Sequence, residues 1–198
     1  MRPQRFSLVF TALLLVLPAC DDGGGIVPPP PTIDRNQEIL LGWNLFRATD
    51  YSGAAIHFAR LVEHFPDATE GYVGLGWCEI ELEDLPLAIV YFEKATRLAD
   101  DPDGFAGLAV AASALGRDSL AVEAAAWFTD EQYLFIGDPT LGFTDLVYIR
   151  ALGQFHLRRY EDCYASLRIL RSWLEIDMDA YDFREQLFSQ LRLLREEV

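Results

Sequence analysis

The 198-residue sequence has little positive charge and almost no lysine. It holds 16 Lys and Arg side chains against 31 Asp and Glu, which gives a formal net charge of −15. Lys94 is its single lysine. Nucleic-acid binding needs concentrated Lys and Arg to neutralise phosphates. The composition therefore argues against a nucleic-acid partner, and we interpret the acidity first as a solvated surface.

Metal-binding residues are equally sparse. Structural zinc sites use closely spaced ligand pairs such as C-x2-C, and the sequence has no such pair. None of the histidines has a cysteine or carboxylate at a metal-site spacing. We expect no metal site, and we expect the two internal cysteines to be buried and unbonded. The histidines are His57, His64 and His156, and the internal cysteines are Cys78 and Cys163.

Catalytic motifs are also missing. The sequence contains no glycine-rich phosphate loop, nucleophile elbow or dinucleotide fingerprint. An acidic run, Glu79, Glu81, Glu83 and Asp84, ends a predicted helix, and such runs are usually solvated. A Cys–His pair stays formally open, but nothing in the pattern favours one. We therefore predict a non-enzymatic protein without a cofactor.

Apolar residues are plentiful and follow a repeat. They make up 51% of the chain, and aromatic residues make up 13%, which is enough for a packed core. Five positions recur 34 residues later, and a fixed period in this range indicates stacked supersecondary units. Leu41, Gly42, Trp43, Ala54 and Phe58 recur as Leu75, Gly76, Trp77, Ala88 and Phe92.

These positions resemble the tetratricopeptide repeat, whose pattern is W-x2-L-G-x2-Y, then A-x3-F, then P. The second copy begins with Tyr72, whereas the first has Glu38 at the leading aromatic position and ends with Pro66. The resemblance implies antiparallel helical hairpins that stack as an all-α, right-handed solenoid. It also places turns between paired helices at Asp50–Tyr51 and Asp84–Leu85.

Further units follow the two clear ones. Phe105, Leu108, Ala109, Ala121 and Ala125 continue the order as a third, degraded copy. The register breaks from Trp127 to Phe143, where we expect an extended connection, either a specialised contact or a spacer. A fourth unit follows, with an amphipathic segment from Arg159 to Trp173. Residues 180–195 are predicted to form a capping helix. Its covering residues are Phe183, Leu187, Leu191 and Leu194.

Small residues are predicted to set the distance between paired helices. We expect Gly42 to face Ala54, and Gly76 to face Ala88, so that the helices approach closely. Phe58 and Phe92 should fill the space towards the next pair. One pair cannot bury both of its faces, so neighbouring pairs must stack.

The N-terminus resembles a bacterial lipoprotein signal. Two arginines precede an apolar run from Phe6 to Leu17, which is too short for a typical membrane span. Leu17-Pro18-Ala19-Cys20 then resembles a lipoprotein box, which implies cleavage after residue 19 and lipidation of Cys20. Pro18 is unusual there, so a cleaved non-lipid signal or an uncleaved anchor stays open. We predict a signal at 1–19, a Gly/Pro-rich tether at 20–33 and a repeat domain at 34–198.

The resemblance further implies a peptide-binding groove, because the first helix of each tetratricopeptide hairpin lines the concave face. Trp43 and Trp77 are the candidate anchors, since large aromatics in a concave site are typical of binding. The alternative is that they pack against neighbouring helices or the cap. The predicted groove residues are Asn36, Ile39, Trp43, Phe46, Arg47, Glu70, Val73, Trp77, Ile80, Tyr148 and Phe155.

Together these patterns favour a lipid-anchored adaptor of the bacterial cell envelope that binds a protein or peptide. Ala55-Ile56-His57-Phe58 and Val62-Glu63-His64-Phe65-Pro66 also resemble repeats of envelope lipoproteins and periplasmic coordinators, which implies a role in envelope assembly. A structural subunit of a secretion or pilus complex is the main alternative. An enzyme or carrier is disfavoured by the missing motifs.

Overall fold

The computed structural model describes residues 33–129 and 131–197, and over these residues it contains nine helices and no strand. The helices are α1 Arg35–Arg47, α2 Tyr51–His64, α3 Thr69–Glu81, α4 Leu85–Leu98, α5 Pro102–Ala114, α6 Asp118–Ala125, α7 Phe143–His156, α8 Tyr160–Leu170 and α9 Phe183–Glu197. The predicted signal, tether and lipidation site at Cys20 lie outside the described residues, apart from residue 33. Within the described range, no helix is long and apolar enough to cross a membrane.

The helices stack as consecutive hairpins. Each packs against the next along the chain from α1 to α8, and the first helices of successive hairpins also meet. The last helix, α9, packs on both α7 and α8. This arrangement confirms the predicted all-α solenoid of four hairpins with a C-terminal cap.

Aspartate side chains begin four of the helices. Asp34, Asp50, Asp84 and Asp101 each accept a hydrogen bond from a backbone N–H in the first turn of the following helix. Such a cap satisfies donors that have no partner within the helix, and is worth about 1 kcal/mol. The starts of α2 and α4 match the turns expected from the repeat pattern.

The four hairpin turns share one backbone feature. Each has a residue in the left-handed region: Thr49, Glu83, Gly116 and Arg158, with φ between 59° and 68°. Only the third turn has glycine there, the residue that adopts this conformation without a steric cost. The repeat therefore persists in the backbone even where its side chains differ.

Two phenylalanines fill the space between hairpins, as predicted. A Cβ added at Gly42 would lie 2.7 Å from the Phe58 ring, and one at Gly74 only 2.5 Å from the same ring. Each phenylalanine is thus held between a glycine of its own hairpin and a glycine of the next. The atoms nearest to the Gly42 position belong to Phe58, and the expected approach of Gly42 to Ala54 stays a prediction. The equivalent contacts join Phe92 to Gly76 and Gly107.

The buried apolar side chains form two clusters. The first core runs from Trp43 through the first three hairpins to Val147 in α7. The second core begins at Ala151 in the same helix and continues through α8 to α9. Helix α7 therefore contributes its first half to one core and its second half to the other.

The cap covers the end of the stack as predicted. Leu187, Leu191 and Leu194 are at most 3% exposed. Arg171 donates to Gln190 Oε1 at 2.6 Å, which ties the turn after α8 to α9. The amphipathic segment expected to reach Trp173 ends as a helix at Leu170, and Trp173 is 71% exposed.

Candidate functional site

The two candidate anchors of the groove are buried. Trp43 is 8% exposed and Trp77 is 4% exposed, and Phe46 and Val73 beside them are also buried. Tryptophans in the first helices of a solenoid would face a concave surface. Here that surface is filled by another part of the same chain.

The filling segment comprises residues 131–142, which we call the covering segment. Its Phe135 ring stacks on Trp77 with centroids 4.0 Å apart and planes 22° apart. The same ring meets Trp43 edge-on at 5.9 Å and Phe46 at 6.3 Å. Phe135 is itself 2% exposed, so this one ring covers both tryptophans.

Polar contacts hold the covering segment in place. The Tyr133 hydroxyl donates to Asp103 Oδ1 at 2.8 Å, and Trp77 Nε1 donates to the Asp103 carbonyl at 3.1 Å. Within the segment, the Phe135 amide donates to the Leu141 carbonyl at 2.9 Å. Asp103 therefore joins the start of α5 to both the covering segment and the groove wall.

The Asp103 carboxyl sits in a partly buried position. Burial raises its pKa to about 6, although the hydrogen bond from Tyr133 acts in the opposite direction. Burial also raises the pKa of Tyr133 far above its ordinary value, with a further contribution from the Asp103 charge. The phenol therefore stays protonated over the whole physiological pH range.

Four of the predicted groove residues, Trp43, Phe46, Val73 and Trp77, are thus buried in this structure. A partner can reach these side chains only where the covering segment moves away. Trp43 and Trp77 meet Phe58 and Phe92 of the neighbouring helices edge-on, as the alternative expected. The cover over them is residues 131–142 rather than the C-terminal cap. Binding of a peptide at these positions stays a prediction.

The other predicted positions of the first two hairpins remain accessible. Asn36 and Arg47 are exposed, and Ile39, Glu70 and Ile80 are partly exposed. Glu70 accepts from Arg35 Nη2 at 2.8 Å, which links α3 to α1 across the stack. These side chains surround the covered region without forming a continuous apolar surface.

The fourth hairpin contains an open pocket that includes one predicted residue. Phe155 lies at the end of α7 and lines a pocket of about 610 Å³ with Tyr160 of α8 and Phe188 of α9. The Phe155 ring lies 5.8 Å from Phe188 and 5.6 Å from Tyr160. We call this the C-terminal pocket. The other predicted residue of this hairpin, Tyr148, is partly buried in the second core.

Two arginines border the C-terminal pocket. Arg184 and Arg192 line it from α9, and both are exposed. Over residues 33–129 and 131–197, neither has an ion pair with a carboxylate, and Arg184 only approaches the Phe183 ring at 5.9 Å. The sequence prediction missed Tyr160, Arg184, Phe188 and Arg192. The i, i+4, i+8 spacing of the last three was the available signal.

Charge is unevenly distributed along the chain. Residues 33–142 carry 6 basic and 19 acidic side chains, whereas residues 143–198 carry 8 and 10. The C-terminal pocket therefore lies in a nearly neutral part of a strongly acidic protein.

The described side chains form no reactive constellation. Cys78 and Cys163 are buried and free, as predicted, and burial raises the pKa of each thiol to about 12. His57 Nδ1 lies 2.7 Å from Glu38 Oε2, and burial of Glu38 is outweighed by hydrogen bonds from His57 and Arg60 that lower its pKa. Among the residues described, no three potential metal ligands cluster.

Comparisons with known proteins identify the fold. A solved structure named "MamA MSR-1 C2", a tetratricopeptide-repeat-containing protein, is similar with a TM-score of 0.60 and 14% sequence identity. The similarity covers 82% of this chain and 97% of that one. No family model matches the chain, and no curated protein sequence matches it significantly. At this identity the likeness shows a tetratricopeptide-like fold.

Proposed function

We propose that this protein is a lipid-anchored adaptor of the bacterial cell envelope that binds another protein through its helical stack. The observation that carries the proposal is a tetratricopeptide-like solenoid with an open aromatic pocket and no reactive cluster among its described residues. A stack of this kind presents extended surfaces assembled from several hairpins. Recognition of a protein segment is the use that such a surface supports best.

The anchoring part of the proposal comes from the sequence. Leu17-Pro18-Ala19-Cys20 resembles a lipoprotein box, and residues 20–33 would tether the domain to the membrane surface. The repeat domain would then face the periplasm or the outside of the cell. Assistance in envelope assembly is the corresponding cellular role.

Binding of a partner in the predicted groove requires one structural change first. A partner that binds Trp43 and Trp77 must first displace Phe135, which stacks on Trp77. The C-terminal pocket needs no such displacement, because Phe188 is 50% exposed. In the proposed adaptor, a partner therefore first contacts the fourth hairpin and the cap.

The intact mass of the mature protein tests the anchor. Cleavage before Cys20 with added acyl mass supports it, and a Cys20→Ser variant should lose both the added mass and membrane retention. An unmodified mature Cys20, or a chain that keeps residues 1–19, contradicts lipid anchoring.

Crosslinking in intact envelopes, followed by reconstitution from purified components, tests the adaptor role. We expect a defined protein partner that binds the full chain saturably and fails to bind a Phe92→Ala variant whose stack is disrupted. Incorporation into a large, stable, stoichiometric apparatus would instead favour the structural-subunit alternative. The absence of any reconstituted protein complex would overturn the proposal.

A further inference from the structure

The C-terminal pocket has a regular geometry along α9. Arg184, Phe188 and Arg192 follow each other at intervals of four residues, so they lie along one side of the helix. At a rise of 1.5 Å per residue, neighbouring members are about 6 Å apart along the axis, and the two arginines about 12 Å apart. The stripe therefore presents a cation, an aromatic ring and a second cation in a row.

An extended peptide has nearly the same spacing. Alternate residues of a strand point to the same side, and each pair of residues advances about 6.6 Å. Side chains at positions i, i+2 and i+4 therefore match the three members of the stripe. Complementary chemistry is a carboxylate, then an apolar or aromatic side chain, then a second carboxylate.

The aromatic wall favours the central side chain of such a peptide. Phe188 is 50% exposed, yet it contacts Phe155 on α7, whose ring lies 5.8 Å away and 31° from parallel. Tyr160 continues the wall at 5.6 Å from Phe155. A further ring inserted here would add aromatic contacts of the kind already present.

Local charge favours acidic flanks. Arg184 and Arg192 have no carboxylate partner over residues 33–129 and 131–197, although Glu185 also lines the pocket. Most of the protein's negative charge lies in residues 33–142. At physiological ionic strength, exposed charges more than about 8 Å apart are largely screened. The two arginines therefore dominate over distant acidic residues for a ligand seated in the pocket.

We propose that the C-terminal pocket binds an extended acidic segment of a partner protein, in which an aromatic side chain stands between two carboxylates at i and i+4. The proposal rests on the adaptor function and specifies where the partner docks and by what chemistry. Phe188 and Phe155 receive the aromatic side chain. Arg184 and Arg192 pair with the flanking carboxylates.

Fluorescence anisotropy with the purified full chain tests this proposal. The probe is a labelled peptide with Glu, Phe and Glu at alternate positions, compared with peptides carrying Lys in place of Glu or Ser in place of Phe. We expect the Glu–Phe–Glu peptide to bind at least about tenfold more tightly than either, because charge and aromatic contact both contribute. Equal affinity for the Lys peptide would overturn the proposal.

Charge reversal provides the matched variants. The double change Arg184→Glu and Arg192→Glu should weaken the Glu–Phe–Glu peptide about tenfold or more and improve binding of the Lys–Phe–Lys peptide. Arg195→Glu is the control, because Arg195 is exposed on the same helix but does not line the pocket. An equal loss with Arg195→Glu would show a nonspecific charge effect and contradict the proposal.

Two outcomes separate this inference from the adaptor function. A reconstituted partner that binds the double variant as well as the unchanged chain leaves the adaptor function standing and excludes this docking site. Concentration-dependent self-association that the double variant abolishes, without peptide binding, identifies a second copy as the occupant and also overturns the proposal. Circular dichroism of each variant verifies that the helices remain folded.

Discussion

The first two hairpins and the fourth hairpin with its cap use aromatic residues in opposite ways. In the former, Trp43 and Trp77 are closed off by Phe135 and are at most 8% exposed. In the latter, Phe188 is half exposed and borders an open pocket. The same helical architecture therefore provides a packed core at one place and an accessible surface at another. What differs is whether a connecting segment folds over the first helices.

Charge sharpens the contrast. The acidic excess belongs mainly to residues 33–142, and residues 143–198 are close to balance. In the covered part, the two tryptophans are inaccessible, and the net negative charge repels anions. The open part offers two unpaired arginines beside aromatic rings, again counting only partners within the residues described.

The largest expected effect comes from removing the cover. Phe135→Ala deletes a buried ring that contacts both groove tryptophans, and we expect a loss of about 3–5 kcal/mol, which is typical of a buried Phe→Ala change. Urea unfolding measures the stability, and acrylamide quenching of tryptophan fluorescence should rise as Trp43 and Trp77 become accessible. If the quenching stays unchanged, the covering segment does not protect these residues.

Leu134→Ala is the control for that change. Leu134 is the preceding residue of the covering segment and is 62% exposed, so its replacement should alter stability by about 0.5 kcal/mol or less. A loss as large as that of Phe135→Ala would mean that the segment itself, rather than the Phe135 ring, closes the groove.

A smaller effect is expected at the glycines of α5. A Cβ at Gly107 would lie 2.1 Å from Phe92, whereas one at Gly104 meets its nearest atoms at 3.5 Å. Gly107→Ala should therefore lose about 1–3 kcal/mol through overpacking, and Gly104→Ala should gain about 0.5–1 kcal/mol from helix propensity. Thermal unfolding distinguishes them. Equal midpoints would contradict the tight contact between Phe92 and the third hairpin.

The titration of Asp103, which accepts a hydrogen bond from Tyr133, should make the stability of the covered part depend on pH. Burial raises the pKa of Asp103 to about 6 from the ordinary value of 3.8, so the folded state binds this proton more tightly than the unfolded state. The contribution of Asp103 to stability is therefore present below about pH 4 and is lost as the pH rises through about 6. Asp103→Asn should become more favourable relative to the unchanged chain over this interval in urea unfolding.

Tyr133→Phe tests the cause of that dependence. The hydrogen bond from Tyr133 lowers the pKa of Asp103, so its removal should move the midpoint of the transition to higher pH. An unchanged midpoint would show that the tyrosine does not influence the carboxyl group.

Only a small stability effect is expected from the aromatic ring of the open part. Phe188 is half exposed, so Phe188→Ala should cost only about 1 kcal/mol, from partial loss of buried apolar surface. Its effect on binding of the Glu–Phe–Glu peptide should be much larger. A stability loss comparable to that of Phe135→Ala would show that the pocket is part of the core rather than a surface for a partner.

The sequence predicted the repeated elements better than it predicted the surface. The periodic leucine, glycine, alanine and phenylalanine positions identified the hairpins, and Phe58 and Phe92 do pack against the next hairpin. Equivalent contacts therefore recur from one repeat unit to the next. The cap was also predictable, because Leu187, Leu191 and Leu194 form one apolar side of a helix.

The sequence did not indicate that the groove is covered, because its cover lies outside the repeat. The break in register after Trp127 indicated a connection. Nothing in its spacing indicated that Phe135 would contact Trp77 and Trp43, which lie 58 and 92 positions earlier in the chain. The C-terminal pocket was missed for a related reason. The prediction treated α9 only as a cover, although its stripe of Arg184, Phe188 and Arg192 was readable from the sequence.

By itself, the sequence determined the helical hairpins, their number and the packing of each phenylalanine towards the next hairpin, because these depend on local periodicity and on contacts between adjacent units. Only the tertiary structure decided which aromatic residues are accessible. Accessibility depends on where the non-repeating segment at 131–142 comes to rest, and that is set by distant contacts such as Phe135 with Trp77 and Tyr133 with Asp103.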